Sequence, residues 1–301
     1  MLEYRAEGLC RNANHLRRDE LERCMIKKEV LQSTALAFDT SRRLRFELCG
    51  CRAYMPFEEC LDTPHGEVIK DVAVLTRVGR PTCFLITGME REDGEIVYQL
   101  SRAAAQRACR TEYLDTLEAG SVIPCTVTHI ESFGAFCDIG CGISALLPID
   151  CLSVSRISSP ADRVSEGQQL LCAIKMRDVQ GRIVLTLREL LGTWSENAAC
   201  FAAGETVVGI VRSVEEYGVF IEIAPNLAGL AEPDNTLHAG QSVSVYIKSI
   251  LPDKMKIKLV VVNRNIGQAL RFEPHYFVTK GRLKHWTYST PQSRKQIETV
   301  F

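Results

Sequence analysis

The sequence predicts a mainly β protein built as three tandem five-stranded barrels, the first degenerate, joined by short α-helices. Three observations predict it. One stretch recurs in the next unit: GSVIPCTVTHIESFGAF at 120–136 aligns without a gap on GETVVGIVRSVEEYGVF at 204–220. Both units then carry a Gly-Gln pair, Gly167-Gln168 and Gly240-Gln241. From there each runs into an alternating stretch, LLCAIKMRDVQGRIVLTL and SVSVYIKSILPDKMKIKLVVV, that reads as two strands joined by a turn. Units of about 70 residues are small for two packed sheets and sufficient for a closed barrel.

Taken in order, residues 1–22 are expected to form an N-terminal helical segment, with a helix around Arg17–Lys28. The first unit, 23–106, has a strand at Glu29–Phe38, a DTSRR turn and a returning strand LRFEL at 44–48. Its Ala53-Tyr-Met-Pro56 matches Ala145-Leu-Leu-Pro148 of the middle unit, and 83–102 reads as a hairpin around Glu92-Asp93-Gly94. Ser101 is placed as an N-cap for a connector helix over 101–117. The middle unit spans 119–191 and the last spans 203–263, with RELLGTWSENAACF (188–201) as the second connector. A tail, 264–301, interleaves Phe272, Tyr276, Phe277, Trp286 and Tyr288 with Arg271, Lys280, Arg282, Lys284 and His285. That composition suits base stacking and phosphate contact. It equally suits a small hairpin packed on the last barrel, turning at Lys280-Gly281.

Composition narrows the function classes. No run of about 18 apolar residues is present, so no membrane-spanning helix is expected. The charged N-terminus lacks the apolar stretch of a secretory signal, and a cytoplasmic location is expected. A net charge of −1 leaves any nucleic-acid contact to local patches and stacking. The 13 cysteines contain no CxxC, and Cys137-x-x-x-Cys141 lacks the second pair a structural zinc site wants. Free thiols acting as small hydrophobes are the expectation, with no metal and no cofactor. The chain has no GxxxxGK[ST], HExxH or GxSxG, so it is not expected to be an enzyme.

The candidate site lies where the repeat is strongest. Side chains alternate along a strand, which turns Ala135, Cys137 and Ile139 inward and Phe136 and Asp138 toward water, with Phe133 beside them. The second copy repeats this: Val219, Ile221 and Ile223 inward, Phe220 and Glu222 outward, Tyr217 in place of Phe133. Burial under a neighbouring unit or connector would also account for these rings. Building the arrangement twice favours a ligand surface.

The middle unit resembles an S1 RNA-binding domain, the repeat named after bacterial ribosomal protein S1. The resemblance rests on Phe133-Gly-Ala-Phe136, Ser153-x-x-Arg156, Pro160, Gly167-Gln168, Asp178 and Arg182-Ile183. It is strong over 119–190, clear over 203–262 and faint over 23–105. It implies OB-type barrels whose outer face binds single-stranded RNA. Phe133 and Phe136 would then be stacking platforms, with Arg156, Lys175 and Arg182 on phosphates. Asp178 would either orient Arg182 or simply pair with it. In the last unit Tyr217 and Phe220 would stack, with Arg212, Lys256 and Lys258 as basic contacts. Two departures stand out: Pro148 occupies the place of the family's histidine, and Glu232 is its equivalent in the last unit. The tandem set resembles a short relative of the ribosomal protein.

The resemblance implies a non-enzymatic binder of single-stranded RNA (mRNA), acting in translation with the 30S ribosomal subunit as a partner and no membrane. An adaptor in RNA decay or post-transcriptional control uses the same barrels and stays open at this point. A protein-interaction module follows only if all the outward faces are covered.

Overall fold

A computed structural model describes residues 4–64, 66–267, 273–293 and 296–301. Two compact units are present: Met1–Leu117 with Asp138–Ser144, and Glu118–Cys137 with Ala145–Phe301.

The N-terminal unit contains strands β1 (Arg11–Asn12), β2 (Leu31–Thr34), β3 (Ala37–Phe38), β4 (Arg43–Leu48), β5 (Cys51–Pro56), β6 (Pro81–Glu92) and β7 (Glu95–Ser101). Alternation builds β4, which buries Leu44, Phe46 and Leu48 and leaves Arg45 and Glu47 outside. Helix α1 (Arg18–Lys27) matches the expected position, and α2 (Asp71–Leu75) lies in the long connection before β6. Helix α3 (Arg102–Glu112) is capped by Ser101, whose Oγ accepts from the Ala104 N–H at 2.8 Å. The core gathers Leu21, Leu31, Leu44, Phe46, Met55, Phe84 and Tyr98.

The degenerate first barrel proves to be an open seven-stranded sheet, in the order β1-β2-β6-β7-β5-β4-β3. Its opening has a local cause. The expected strand Glu29–Phe38 breaks at Ala35-Leu36, so that β2 pairs with β6 while β3 pairs with β4. Ala35 N still bonds Arg80 O on one side, and Leu36 N bonds Arg45 O at 2.8 Å on the other. The connectivity is that of the closed barrels, with the first strand split.

The second unit holds two closed barrels. The middle one comprises β8 (Val122–Glu131), β9 (Gly134–Asp138), β10 (Ser144–Pro148), β11 (Gln169–Arg177) and β12 (Ile183–Thr186). A short helix, α4 (Ile149–Leu152), follows β10, and α5 (Trp194–Ala198) connects to the last barrel. That barrel comprises β13 (Thr206–Glu215), β14 (Gly218–Ala224), β15 (Leu227–Ala231), β16 (Ser242–Leu251) and β17 (Lys256–Asn263). In each barrel the third strand runs parallel to the fifth, β10 beside β12 and β15 beside β17, as β5 runs beside β7 in the first unit.

The tail forms a small sheet, β18 (His285–Thr287) with β19 (Glu298–Val300). Trp286 and Tyr288 join the core of the last barrel, each 6% exposed. Upstream, Tyr276 accepts a hydrogen bond from Leu171 N at 3.1 Å, and Phe277 N donates to Leu190 O. The tail is therefore a strap across both closed barrels. The packing of Trp286 and Tyr288 matches the hairpin alternative, although β18 and β19 pair beyond Lys280-Gly281. Arg271 and Phe272 lie outside the described residues.

Candidate nucleic-acid interface

Each closed barrel begins with a hairpin whose two-residue turn carries an aromatic, Ser132-Phe133 between β8 and β9 and Glu216-Tyr217 between β13 and β14. Phe133 is 53% exposed and packs edge-on against the half-buried Phe136, ring centroids 6.1 Å apart at 88°. Tyr217, 67% exposed, meets Phe220 at 6.0 Å and 86°. The two copies coincide in geometry as well as in sequence. A T-shaped pair leaves one ring face open to solvent, as a stacking platform requires.

The glycine after each turn aromatic is a steric necessity. A Cβ on Gly134 would lie 2.6 Å from Leu147 O, and one on Gly218 would lie 2.5 Å from Ala231 O. Only glycine lets the third strand approach this closely. In the middle barrel that strand end also grips the turn, through the Ile149 N–H bonded to Phe133 O at 2.9 Å.

Strand register assembles the rest of the face in the last barrel. Phe220 stands opposite Ser213 on β13 and Leu230 on β15, Leu230 opposite Lys258, and Lys258 opposite Ser249. One row thus crosses the sheet from aromatic to apolar to cationic. Lys256 lies two residues away on the same side of β17, and both lysines are exposed. The corresponding row in the middle barrel is apolar, Leu146 opposite Val184 and Val184 opposite the exposed Met176.

Basic groups of the middle barrel are placed unequally. Arg156 is exposed beside a shallow depression of about 330 Å³ lined by Ser153, Val154, Ser155 and Arg188. Lys175 is half-buried, its Nζ donating to Cys151 Sγ at 3.1 Å and lying 4.0 Å from Asp150. Arg182 is exposed and donates to Asp178 at 2.6 Å. Desolvation pushes the Asp178 carboxyl up, but bonds from Arg182 and from the Arg182 and Gln180 backbone outweigh it and hold it below the usual range. His129, exposed on β8, hydrogen-bonds Glu166 and Glu131, and those bonds raise its pKa.

Arg212 stands apart from the other basic groups. Its guanidinium is almost wholly buried, 2.6 Å from Glu222 and 3.6 Å from Asp162. Its charge is directed at those two carboxylates. Glu222, expected in water, is 0% exposed, held between Arg212 and Arg163. Asp138, also expected outside, is 4% exposed and accepts from the backbone N–H groups of Glu7, Gly140 and Gly142. Alternation put both on the outer side of their strands, and a segment distant in sequence covers each one.

The first unit's arginines are engaged locally. Arg42 lies 4.2 Å over the Phe57 ring and pairs with Asp71, while Arg43 lies 4.0 Å over Tyr54 and pairs with Asp39. Arg45 is exposed. One residue the sequence pattern did not single out is Lys248, exposed on β16. Counting from the Gly-Gln pair would have found it, because Lys248 follows Gly240-Gln241 at the spacing by which Lys175 follows Gly167-Gln168.

The family model of the S1 RNA binding domain matches residues 116–188. Small ribosomal subunit protein bS1 of Leuconostoc lactis is 33% identical over 169 residues, 52% of this chain and 38% of that protein. The bS1 homolog of Bacillus subtilis is 30% identical over 198 residues, 60% of this chain and 51% of its own length. The chain spans between 38% and 53% of the length of the curated relatives it matches. A solved multidomain protein with nucleic acid binding domains from Streptococcus pneumoniae is 14% identical, covering 80% of this chain and 75% of that one, with a TM-score of 0.27. Residues 116–188, the middle barrel, match the S1 RNA binding domain, and the chain is similar to small ribosomal subunit proteins bS1.

Proposed function

We propose that the two closed barrels bind single-stranded RNA on their outer faces, without catalysis, and that the chain acts on mRNA in translation at the small ribosomal subunit. The observation that carries this reading is the T-shaped aromatic pair built twice, exposed at Phe133 and Tyr217. Unpaired bases stack on such rings whatever their sequence, and stacking contributes roughly 1–3 kcal/mol per base. Arg156 and Arg182 in the middle barrel, and Lys256 and Lys258 in the last, supply phosphate contacts around them. Lys175 adds a partly screened charge. Asp178 fixes the Arg182 side chain by its ion pair. Two weak sites on one chain reinforce each other on a long RNA through effective concentration. The bS1 relatives support the ribosomal part of the reading.

The test is a fluorescence titration of the purified chain with a single-stranded RNA of about 20 nucleotides, enough for the 4–16 nucleotides an OB barrel covers. Phe133→Ala with Phe136→Ala should weaken binding roughly 5- to 150-fold, the equivalent of one stacked base. Tyr217→Ala with Phe220→Ala should weaken it further in the same background. Unchanged affinity in both double variants, with circular dichroism intact, overturns the reading. Co-sedimentation with 30S subunits tests the ribosomal assignment separately.

A further inference from the structure

Four cysteines far apart in sequence meet within the N-terminal unit. Cys10 precedes β1, Cys83 lies on β6, Cys109 on α3, and Cys141 at the tip of the turn 138–144. The Cys83 and Cys10 sulfurs are 3.2 Å apart, and Cys141 adjoins Cys83 and Cys109 closely enough to shift their titration. Cys83, Cys109 and Cys141 are fully buried, whereas Cys10 is only half-buried and reaches solvent.

Cys141 occupies the left-handed region at φ +50, unusual for a residue with a side chain. Its surroundings hold it there: Cys141 N donates to Arg5 O at 2.8 Å, and its carbonyl accepts from Gln106 Nε2 at 3.1 Å. Strain enforced in this way concentrates at functional points. Hydrogen bonds from Cys109 and Cys83 favour the charged form of Cys141 and bring its pKa down to about 5, against the effect of burial. Among the described residues no group of three or more His, Cys, Asp or Glu is arranged to hold a metal ion. The chemistry on offer is that of thiols.

We propose that this cluster is an oxidative modification site, at which a hydroperoxide converts Cys10 and Cys83 into a disulfide. The Cys10 sulfur, the only one of the four open to solvent, attacks the peroxide O–O bond. It becomes a sulfenic acid as the peroxide leaves as water or alcohol. The Cys83 thiol then attacks that sulfur and loses its proton, and the hydroxyl departs as water. Two thiols give up two electrons and one hydroperoxide accepts them. The sulfurs close from 3.2 Å to the ordinary bond length of about 2.05 Å. Attack by the Cys141 thiolate on Cys83 then passes the bridge inward and returns Cys10 as a thiol, with no further oxidant. The middle barrel contains its own control. Cys125 and Cys172 lie 3.6 Å apart, both buried, and no sulfur of that pair is open to an oxidant.

The full reduced chain, treated with hydrogen peroxide under native conditions, is alkylated in denaturant and mapped by mass spectrometry without reduction. The expected product is a peptide pair joined through Cys10–Cys83 or Cys83–Cys141, reversed by dithiothreitol, with Cys125 and Cys172 recovered as thiols. Cys10→Ser should abolish the bridge. Cys83→Ser should leave a sulfenic acid on Cys10 that dimedone traps. Recovery of Cys10, Cys83 and Cys141 as free thiols, at a peroxide dose that consumes the exposed Cys200, overturns the proposal. An unchanged inner bridge in a folded Cys10→Ser protein overturns the route through Cys10.

Discussion

Arg163, in the loop before β11, donates Nη1 to Glu222 Oε2 of the last barrel at 2.9 Å, with both side chains out of reach of water. Arg212 completes the cluster from β13. A buried carboxylate between two guanidiniums is sustained by its partners, and removing it strands two positive charges in a dry environment. Glu222→Ala should therefore destabilise the second unit by about 3–5 kcal/mol. Thermal and urea unfolding measure this, and a loss under about 1 kcal/mol, the range of an exposed pair, would show that the cluster is hydrated in solution.

The same burial separates Arg212 from the lysines on β17. Removing one cation that neutralises a phosphate of a single strand lowers the slope of log affinity against log salt by about 0.7. Lys258→Ala should show that reduction in an RNA titration at several salt concentrations. Arg212→Ala should leave the slope unchanged while lowering stability, since its charge faces Glu222 and Asp162. A slope that drops equally in both variants would put Arg212 at the RNA after all.

Gly134→Ala is a steric test of the hairpin. Its Cβ would sit 2.6 Å from the Leu147 carbonyl, which is backbone and cannot swing away. Overpacking of this kind destabilises by about 1–3 kcal/mol. The strand end bonded to Phe133 must also move, so RNA affinity should fall together with the melting temperature. Gly218→Ala should behave alike, against Ala231. Two unaffected variants would mean that the third strand does not approach as described.

Residue alternation and repetition made the two hairpins legible: inward Ala135, Cys137, Val219 and Ile221, and an aromatic in each turn, all follow from local pattern. What escaped the sequence was set by distant segments. Asp138 is covered by Glu7, 131 positions away, and Glu222 by Arg163, 59 away. Pattern gives the side of a strand on which a residue stands, while burial depends on what else packs there. The split at Ala35-Leu36 likewise leaves no compositional mark, because either half reads as strand.

Trp286 tests whether the tail is a strap or an RNA-binding segment. Its indole lies in the core of the last barrel with Tyr288, whose hydroxyl donates to Asn226 O. Trp286→Ala should cost about 3–5 kcal/mol, as for any large aromatic removed from a core. Tyr288→Phe should cost only about 0.5–1.5 kcal/mol, the net worth of one hydrogen bond. Below their melting temperatures both variants should bind RNA like the parent. Weakened RNA binding by a folded Trp286→Ala protein would return the tail to the interface.

Glu7 and Asp138 are buried neighbours driven in opposite directions by their surroundings. Burial and the Glu7 charge push Asp138 up to about 7, against its backbone hydrogen bonds. Burial also acts to raise Glu7, but Arg102 and Arg77 outweigh it and hold that carboxyl below its usual value. The signs differ accordingly. Asp138 binds its proton more tightly folded than unfolded, so its contribution is complete below about pH 4 and disappears as pH rises through about 7. Glu7 contributes above its unfolded pKa, and that contribution is lost as pH falls through its depressed folded value. Asp138→Asn should therefore flatten the decline in melting temperature of the N-terminal unit between pH 4 and pH 7, leaving the acid limb set by Glu7 in place. A decline equally steep in Asp138→Asn and the parent would remove Asp138 as its source.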